Sequence, residues 1–189
     1  YQTYLEGWRS FNYLFMVIYP PERQEEVLQI LGPWGDPSWA YQHALEIAEE
    51  EIQVLSGVNE FFAWFNKGTS LVKMEHYLDA GAAFDQAYQI YNQLEDDEAT
   101  RPYRITWYQT WPYWAYYYSG RYQDVINLAN FTLETIAEPT LEETLYWRGL
   151  AYYALGNKAL AKSDLYNSVW LNPNFDAGLI QISNLNFDD

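Results

Sequence analysis

The sequence contains no cysteine. This absence excludes disulfide bonds, zinc sites with cysteine ligands and a cysteine nucleophile within the chain. It does not assign a compartment, because a chain without cysteine is compatible with oxidising and with reducing surroundings. The localisation is therefore left open at this point.

Basic residues are scarce as well. The chain has 10 Lys and Arg against 26 Asp and Glu, which gives a formal net charge of −16. Nucleic-acid binding needs clusters of Lys and Arg that neutralise phosphates, so we expect no nucleic-acid partner. An anionic membrane surface is disfavoured for the same reason. The simplest role of this charge is solubility.

No long hydrophobic run is present. The longest apolar stretch, residues 13–20, is far shorter than the roughly 18 residues that a membrane-spanning helix requires. It also lacks the basic flank of a signal peptide, so we expect no membrane insertion. Residue 1 is Tyr rather than Met, which predicts a processed chain or part of a longer protein.

Histidine is limited to two residues. His43, Glu46 and Glu50 have the spacing of one helix face and could together ligate a metal. The stretch lacks the paired His of an HExxH motif, so a solvated acidic face is the better interpretation. His76 falls at a predicted turn between helices. No Ser–His–Asp spacing and no phosphate-binding Gly loop stands out, and we predict no enzyme activity, cofactor or metal for this chain.

Aromatic residues, in contrast, make up 20% of the chain and are concentrated in residues 106–120. Eight of the residues from 107 to 118 are Trp or Tyr. These side chains combine a large apolar area with a polar group. We predict that this stretch forms a helix that lines a binding face. Pro112 falls inside it and predicts a kink or a delayed start.

The N-terminal stretch up to Gly32 differs from the rest. Residues 10–19 are aromatic and β-branched, which is typical of a buried strand, and no second strand is evident to pair with it. Pro20 and Pro21 then introduce a short helix that ends at Gly32. We therefore predict an N-terminal arm over residues 1–32 and a helical domain over residues 33–189.

A spaced pattern of small and large residues recurs in the helical domain. Gly68 and Gly149 occupy one position, and Phe84 and Leu165 follow them at the same interval. The pattern predicts three helix–turn–helix units whose turns carry Glu75, Gly120 and Gly156. The copies are unequally spaced along the chain, and the extra length lies in loop-like segments near residues 94–102 and 137–143.

These residues resemble the tetratricopeptide repeat, which has a period of about 34 residues. The resemblance implies an all-α fold, a right-handed α-α superhelix or solenoid of about three repeats, at residues 59–94, 103–137 and 141–174. A capping helix is expected near residues 174–185. The middle repeat departs from the pattern, because Tyr113 and Ala129 replace the usual small and large residues.

In this family the first helix of each repeat lines a concave groove, and the resemblance thereby implies which side chains meet a ligand. Few cations lie among them, which disfavours a clamp for an acidic C-terminal tail and favours an extended apolar or Pro-rich peptide. Tyr113 and Tyr116 are expected to face the core instead. The predicted groove residues are Phe62, Phe65, Thr69, Trp107, Trp114, Tyr117, Tyr118, Tyr146 and Tyr153.

The leading hypothesis is a non-catalytic scaffold that binds a protein or peptide, or packs on another domain of its parent chain. A carbohydrate-binding module, with sugars stacked on Trp and Tyr, is an alternative from a different class. Residues 11–32 also resemble the tail of bacterial C39-like cysteine peptidases that carry C-terminal repeats. That resemblance implies an accessory domain of a larger protein of the bacterial cell envelope.

Overall fold

The computed structural model describes residues 37–94, 101–102, 104–135 and 141–187. Every regular element within these ranges is an α-helix, as predicted. The strand-like segment at residues 10–19 and the helix before Gly32 lie outside the described residues. The chain divides into two compact units, Tyr1–Arg101 and Pro102–Asp189. We call them unit 1 and unit 2 and describe each by itself.

Unit 1 contains α1 (Pro37–Ile52), α2 (Val58–Lys73) and α3 (Tyr77–Tyr91), and α2 packs against the other two. Alanines recur once per helical turn on α1 and are fully buried, which lets α2 approach closely. The acidic residues of α1 lie on its other face, where Glu46, Glu49 and Glu50 are exposed. The helix is therefore amphipathic, as its sequence predicted.

Aromatic rings fill the space between α2 and α3. Phe65 and Phe84 meet edge to face, with their ring centroids 5.0 Å apart, and the ring centroid of Phe61 lies 5.8 Å from that of Tyr91. Gly68 makes this packing possible, since a Cβ atom there would lie only 2.7 Å from the ring of Phe84. The core of unit 1 therefore depends on a small residue on α2 facing a large one on α3.

The described part of unit 2 contains the helices α4 (Ile105–Tyr108), α5 (Trp111–Tyr118), α6 (Tyr122–Glu134), α7 (Glu142–Ala154), α8 (Lys158–Leu171) and α9 (Asp176–Asn184). The central helix is α7, which packs against α5, α6 and α8, and α9 packs against α8. At Gly149 on α7, an added Cβ atom would lie 2.9 Å from Cγ of Leu165 on α8. The predicted close approach of helices at Gly68 and Gly149 is thus confirmed.

The three turns α2–α3, α5–α6 and α7–α8 have one geometry. Glu75, Gly120 and Gly156 all have a positive φ, of 63°, 78° and 82°. The next amide in each turn donates back to a carbonyl in the last turn of the preceding helix, as His76 N–H does to Leu71 O at 2.9 Å. This is the Schellman motif, which favours glycine at the left-handed residue. Of these three turns, the first alone has a residue with a side chain there.

The α5–α6 pair reverses the sizes of the two packing residues. Tyr113 on α5 stands where Gly68 and Gly149 stand on α2 and α7, and Ala129 on α6 takes the place of the large residue. Both are buried, and Tyr113 is only 1% exposed. The large side chain now comes from the first helix of the pair. The interior is therefore filled by exchanging the two volumes rather than by leaving a gap.

Candidate functional site

The aromatic stretch of unit 2 is divided between two helices. After α4, the backbone is extended at Gln109, and α5 begins at Trp111 with Pro112 in its first turn, where proline is tolerated. The delayed start that Pro112 predicted is confirmed. Within α5, Tyr113 and Tyr116 are buried at 1% and 4% exposure, which confirms that they face the core.

The other rings of α5 pack on Trp147 of α7. Trp147 is only 4% exposed, and its ring centroid lies 5.1 Å from that of Trp114 and 5.6 Å from that of Tyr117. Tyr118 also contacts it, at 6.3 Å, and Tyr146 lies beside it on α7, at 5.4 Å. Trp147 thus anchors a layer of rings on two neighbouring helices. We call this layer the aromatic surface and define it as Trp111, Trp114, Tyr117, Tyr118, Tyr146 and Trp147.

Part of the aromatic surface is accessible to solvent. Tyr118 is 52% exposed, whereas Trp114, Tyr117 and Tyr146 are partly buried among their neighbours. A rigid buried ring surrounded by partly exposed Tyr and Trp is the usual composition of a binding hot spot. The surface can therefore bury further apolar area while its tyrosine hydroxyls offer hydrogen bonds.

The hydroxyls of Tyr117 and Tyr146 on this surface stay protonated at neutral pH. Burial raises the pKa of Tyr117, and nearby phenol groups add to the effect. Burial also raises the pKa of Tyr146, although a hydrogen bond with the Gln181 side chain opposes this. Each neutral hydroxyl can donate one hydrogen bond and accept others. The aromatic surface therefore presents neutral polar groups rather than charges.

Hydrogen bonds between side chains join four helices of unit 2. The Tyr113 hydroxyl on α5 donates to Thr132 Oγ1 on α6 at 3.1 Å. On α7, Arg148 donates from Nη1 to Asn130 Oδ1 of α6 at 2.8 Å and from Nε to Asp164 Oδ2 of α8 at 2.6 Å. The bond to Asp164 is the main reason that the pKa of Arg148 is raised. These bonds fix the spacing of the helices that carry the rings.

Four of the predicted groove residues come together in the aromatic surface, namely Trp114, Tyr117, Tyr118 and Tyr146. Two more belong to unit 2 but lie in other surroundings. Trp107 is on α4, and its Nε1–H donates to Thr135 Oγ1 at the end of α6, at 2.9 Å. Tyr153 lies about two turns beyond Tyr146 on α7 and contacts the C-terminal segment.

The C-terminal segment adds a ring and a carbonyl at Tyr153. The hydroxyl of Tyr153 donates to the backbone oxygen of Asn186 at 3.2 Å. Its ring meets that of Phe187 edge to face, with centroids 5.9 Å apart. The backbone at Leu185, just after α9, is extended. An extended segment with an aromatic side chain thus already packs on one of the predicted groove residues.

The remaining predicted groove residues belong to unit 1. Phe62 is 38% exposed on α2, and the partly buried Thr69 donates its hydroxyl to the Phe65 carbonyl at 3.0 Å. The prediction for Phe65 is wrong, because this side chain is only 3% exposed and packs on Phe84. Close approach of α3 at Gly68 extends the core as far as Phe65 and leaves no room for a ligand there.

The repeat pattern did not indicate Trp147 or Trp111. Trp147 flanks the predicted groove position Tyr146, but its role as the buried anchor depends on where α5 lies against α7. Trp111 lies 6.2 Å from Trp114, between ring centroids, and begins α5. The density of aromatic residues at 107–118 was the available signal for Trp111. No comparable signal marked Trp147.

The residues that the sequence offered as a possible metal site lie on α1. His43 Nδ1 lies 3.3 Å from Glu46 Oε2, a contact between neighbours on one exposed helix face. Among the described residues, no group of three or more His, Cys, Asp or Glu side chains is arranged to hold a metal ion.

Within the part of the chain that the structure describes, no helix combines the length and the apolar character needed to cross a bilayer.

Comparisons with family models, with curated proteins and with solved structures find no match to this chain.

Proposed function

We propose that this chain is a non-catalytic helical-repeat module that binds an extended apolar or Pro-rich peptide on the aromatic surface of unit 2. The observation that carries the proposal is the layer of rings around Trp147, with the half-exposed Tyr118 at its edge. Aromatic grooves with neutral hydroxyls suit proline-rich segments, which have rigid rings and free backbone carbonyls.

The proposal includes a repeat architecture of the tetratricopeptide kind, with a right-handed superhelix. The three turns of one geometry support it, as does the recurrence of packing residues at fixed steps. Four residues of unit 1 have counterparts in unit 2 at one constant separation in residue number. This separation relates Glu49, Lys67, Gly68 and Phe84 to Asn130, Arg148, Gly149 and Leu165, in that order. Solution scattering tests the architecture, since a globular bundle of the same helices would have a smaller radius of gyration.

The contact of Tyr153 with the C-terminal segment supports the ligand class. In that contact an extended backbone offers a carbonyl to a tyrosine hydroxyl, and an aromatic side chain packs against the ring. A bound peptide would use the same two interactions along the aromatic surface. Main-chain hydrogen bonds would supply affinity, and ring contacts would supply selectivity.

The test is binding to an array of Pro-rich and apolar peptides. Tyr118→Ala removes a half-exposed ring and should weaken binding of any captured peptide at least about tenfold, the loss of one good interface anchor. Trp170→Ala is the matched control, because Trp170 is 77% exposed on α8 and lies outside the aromatic surface. Equal binding by both variants, with unchanged circular dichroism, would exclude the aromatic surface as the site.

A carbohydrate ligand is the rival from another class, and a glycan array tests it directly. Sugars stack on open ring faces, but Trp114 already has ring neighbours in Trp111, Tyr118 and Trp147. We therefore favour a peptide. Saturable binding of an oligosaccharide that Tyr118→Ala abolishes would reverse this preference.

The role as an accessory domain of a C39-like peptidase concerns the parent protein. The residues that carry that resemblance, 11–32, lie outside the described residues. The coding sequence upstream of Tyr1 tests the hypothesis. A Cys and His pair encoded there would support it, whereas an unrelated domain would exclude it.

A further inference from the structure

Unit 1 contains a cavity that the proposed function does not use. Its volume is about 430 Å³, within the roughly 300–1,000 Å³ range typical of small-ligand sites. It lies between α1, α2 and α3. Its walls include Glu49, Trp64, Lys67, Asp79 and Ala82.

The equivalent positions in unit 2 carry different side chains at this place. The separation in residue number between Gly68 and Gly149 also makes Lys67 equivalent to Arg148. By the same separation Ala83, which lines the cavity, is equivalent to Asp164. In unit 2 the guanidinium bonds both oxygens of Asp164, at 2.6 and 2.9 Å. Unit 1 has an amine in place of the guanidinium and a methyl group in place of the carboxylate. Two of the side chains at this position, Lys67 and Ala83, are therefore smaller than their equivalents in unit 2.

The charges around the cavity favour a cation. Glu49 takes the position of Asn130, so the neutral acceptor of the Arg148 guanidinium is replaced by a carboxylate. Asp79 adds a second carboxylate on α3, and Lys67 is the one cation among the described residues that line the cavity. Lys67 Nζ donates to Glu49 at 2.8 Å, but the Glu49 side chain remains 51% exposed. The site thus carries one negative charge in excess.

The Trp64 ring supplies a further reason for a cationic ligand. It lines the cavity, and Lys67 Nζ already lies 5.5 Å from its centroid. Tryptophan is the aromatic side chain that attracts cations most strongly, and a guanidinium both stacks on a ring and bonds carboxylates in two places. A compact ammonium group can neither stack flat on the ring nor bond a carboxylate through two parallel hydrogen bonds.

We propose that this cavity binds an arginine side chain of a partner peptide, whose guanidinium enters beside Lys67, the residue that stands where Arg148 stands in unit 2. The ligand side chain bonds Glu49 and Asp79 and packs against Trp64. The net charge of −16 attracts such a peptide to the chain. This site is independent of the aromatic surface, and its failure would leave the proposed function untouched.

The experiment is an NMR titration of the whole chain with N-acetyl-arginine amide and, separately, with N-acetyl-citrulline amide. Citrulline has the same shape without the charge. We expect saturable shifts of the amides of Trp64, Lys67 and Ala82, with arginine bound at least about tenfold more tightly, since charge-assisted hydrogen bonds are stronger than neutral ones. Equal binding of both probes, or no saturable shift at these residues, would overturn the proposal.

Two variants localise the site, and a third is the matched control. Glu49→Gln keeps the shape of the wall and removes its charge, so arginine binding should fall about tenfold. Ala82→Leu fills the cavity from an exposed position and should abolish binding. Ser163→Leu introduces the same side chain at the equivalent exposed position of unit 2 and should leave binding intact. Retained binding in both Glu49→Gln and Ala82→Leu would contradict the assignment.

Discussion

Two helix pairs, α2–α3 in unit 1 and α7–α8 in unit 2, use the same register with different side chains. Both have a glycine facing a large residue of the next helix, and both have a cation just before that glycine. In unit 2 the cation is Arg148, bonded to the buried Asp164, whereas in unit 1 Lys67 reaches the exposed Glu49. One packing scheme thus accommodates a buried ion pair in one place and an open cavity in the other.

The first way to test this comparison is to remove the acid of each pair. Asp164→Ala leaves the guanidinium of Arg148, only 19% exposed, without its main partner and should cost about 3 kcal/mol of unfolding free energy. Glu49→Ala affects a pair that water already screens and should cost less than about 1 kcal/mol. Urea unfolding of both variants measures the difference. Equal losses would mean that burial does not distinguish the two pairs.

The second test adds a methyl group at the two glycines. Gly68→Ala places a Cβ atom 2.7 Å from the Phe84 ring, and we expect a net loss of about 1–2 kcal/mol after the gain in helix propensity. Gly149→Ala should cost at least as much, because its neighbours include the backbone oxygen of Ala161 at 3.3 Å, which cannot move away as a ring can. Urea unfolding ranks the two variants, and a smaller loss for Gly149→Ala would contradict this order.

A second substitution separates a local clash from a general effect on the helix. The atoms that approach Gly68 belong to the Phe84 ring. Phe84→Ala removes those atoms and leaves only a methyl group, so it should be less destabilising in the Gly68→Ala background than in the wild type. A double-mutant cycle by urea unfolding measures this coupling. Simple additivity would show that the ring is not the source of the loss.

The third test concerns the left-handed residue of the turns. Glu75 has a φ of 63°, a conformation that glycine adopts at little cost, and Gly156 occupies the same place in unit 2. Glu75→Gly should therefore stabilise the chain by up to about 1 kcal/mol, and Gly156→Ala should destabilise it by about 1 kcal/mol. Thermal unfolding should move the two midpoints in opposite directions. A lower midpoint for Glu75→Gly would show that its side chain contributes more than the strain costs.

The smallest effect concerns Tyr113, which reverses the size pattern in the α5–α6 pair. Burial raises its pKa in the folded state above its ordinary value. The folded chain then holds this proton more tightly than the unfolded chain does. The resulting stability is complete below about pH 10, the unfolded pKa, and is lost as the pH rises through the folded-state pKa.

Tyr113→Phe removes that group and its hydrogen bond to Thr132. It should cost about 1 kcal/mol at neutral pH and make the alkaline loss of stability shallower than in the wild type. Urea unfolding between neutral pH and alkaline pH measures both effects. Tyr166→Phe, at an exposed position of α8, is the control and should retain the wild-type slope. Identical slopes for Tyr113→Phe and the wild type would contradict the prediction.

Much of the local structure follows from near neighbours in the sequence. The recurring pattern of small and large residues predicted the helix pairs, Pro112 predicted the late start of α5, and Glu75 and the two glycines marked the turns. The burial of Tyr113 and Tyr116 was implied by their places in the repeat pattern. These features depend on backbone conformation and on which side of one helix a residue occupies.

The candidate site was less predictable. We expected side chains next to the core positions to line a groove, and this expectation failed for Phe65. Because α2 and α3 pack closely at Gly68, Phe65 is buried in the core as well. Trp147 was missed because its role depends on α5, whose rings are distant from it along the chain. Tyr153 was expected to face a ligand, and its contact with Phe187 in the folded chain was not foreseen. Each outcome turned on the distance between helices, which no local pattern contains.

The amino-acid sequence alone sets the helical periodicity, the turns and the acidic charge, because these follow from backbone preferences and composition. Glycine also permits close helix approach at Gly68 and Gly149, and in the folded chain a side chain would not fit at either position. Which rings meet around Trp147, and whether the position beside Lys67 is filled or open, is decided only when the helices pack. The reason is that contacts of a few ångströms between distant residues depend on interhelical spacing and angle, which the whole set of packed side chains determines.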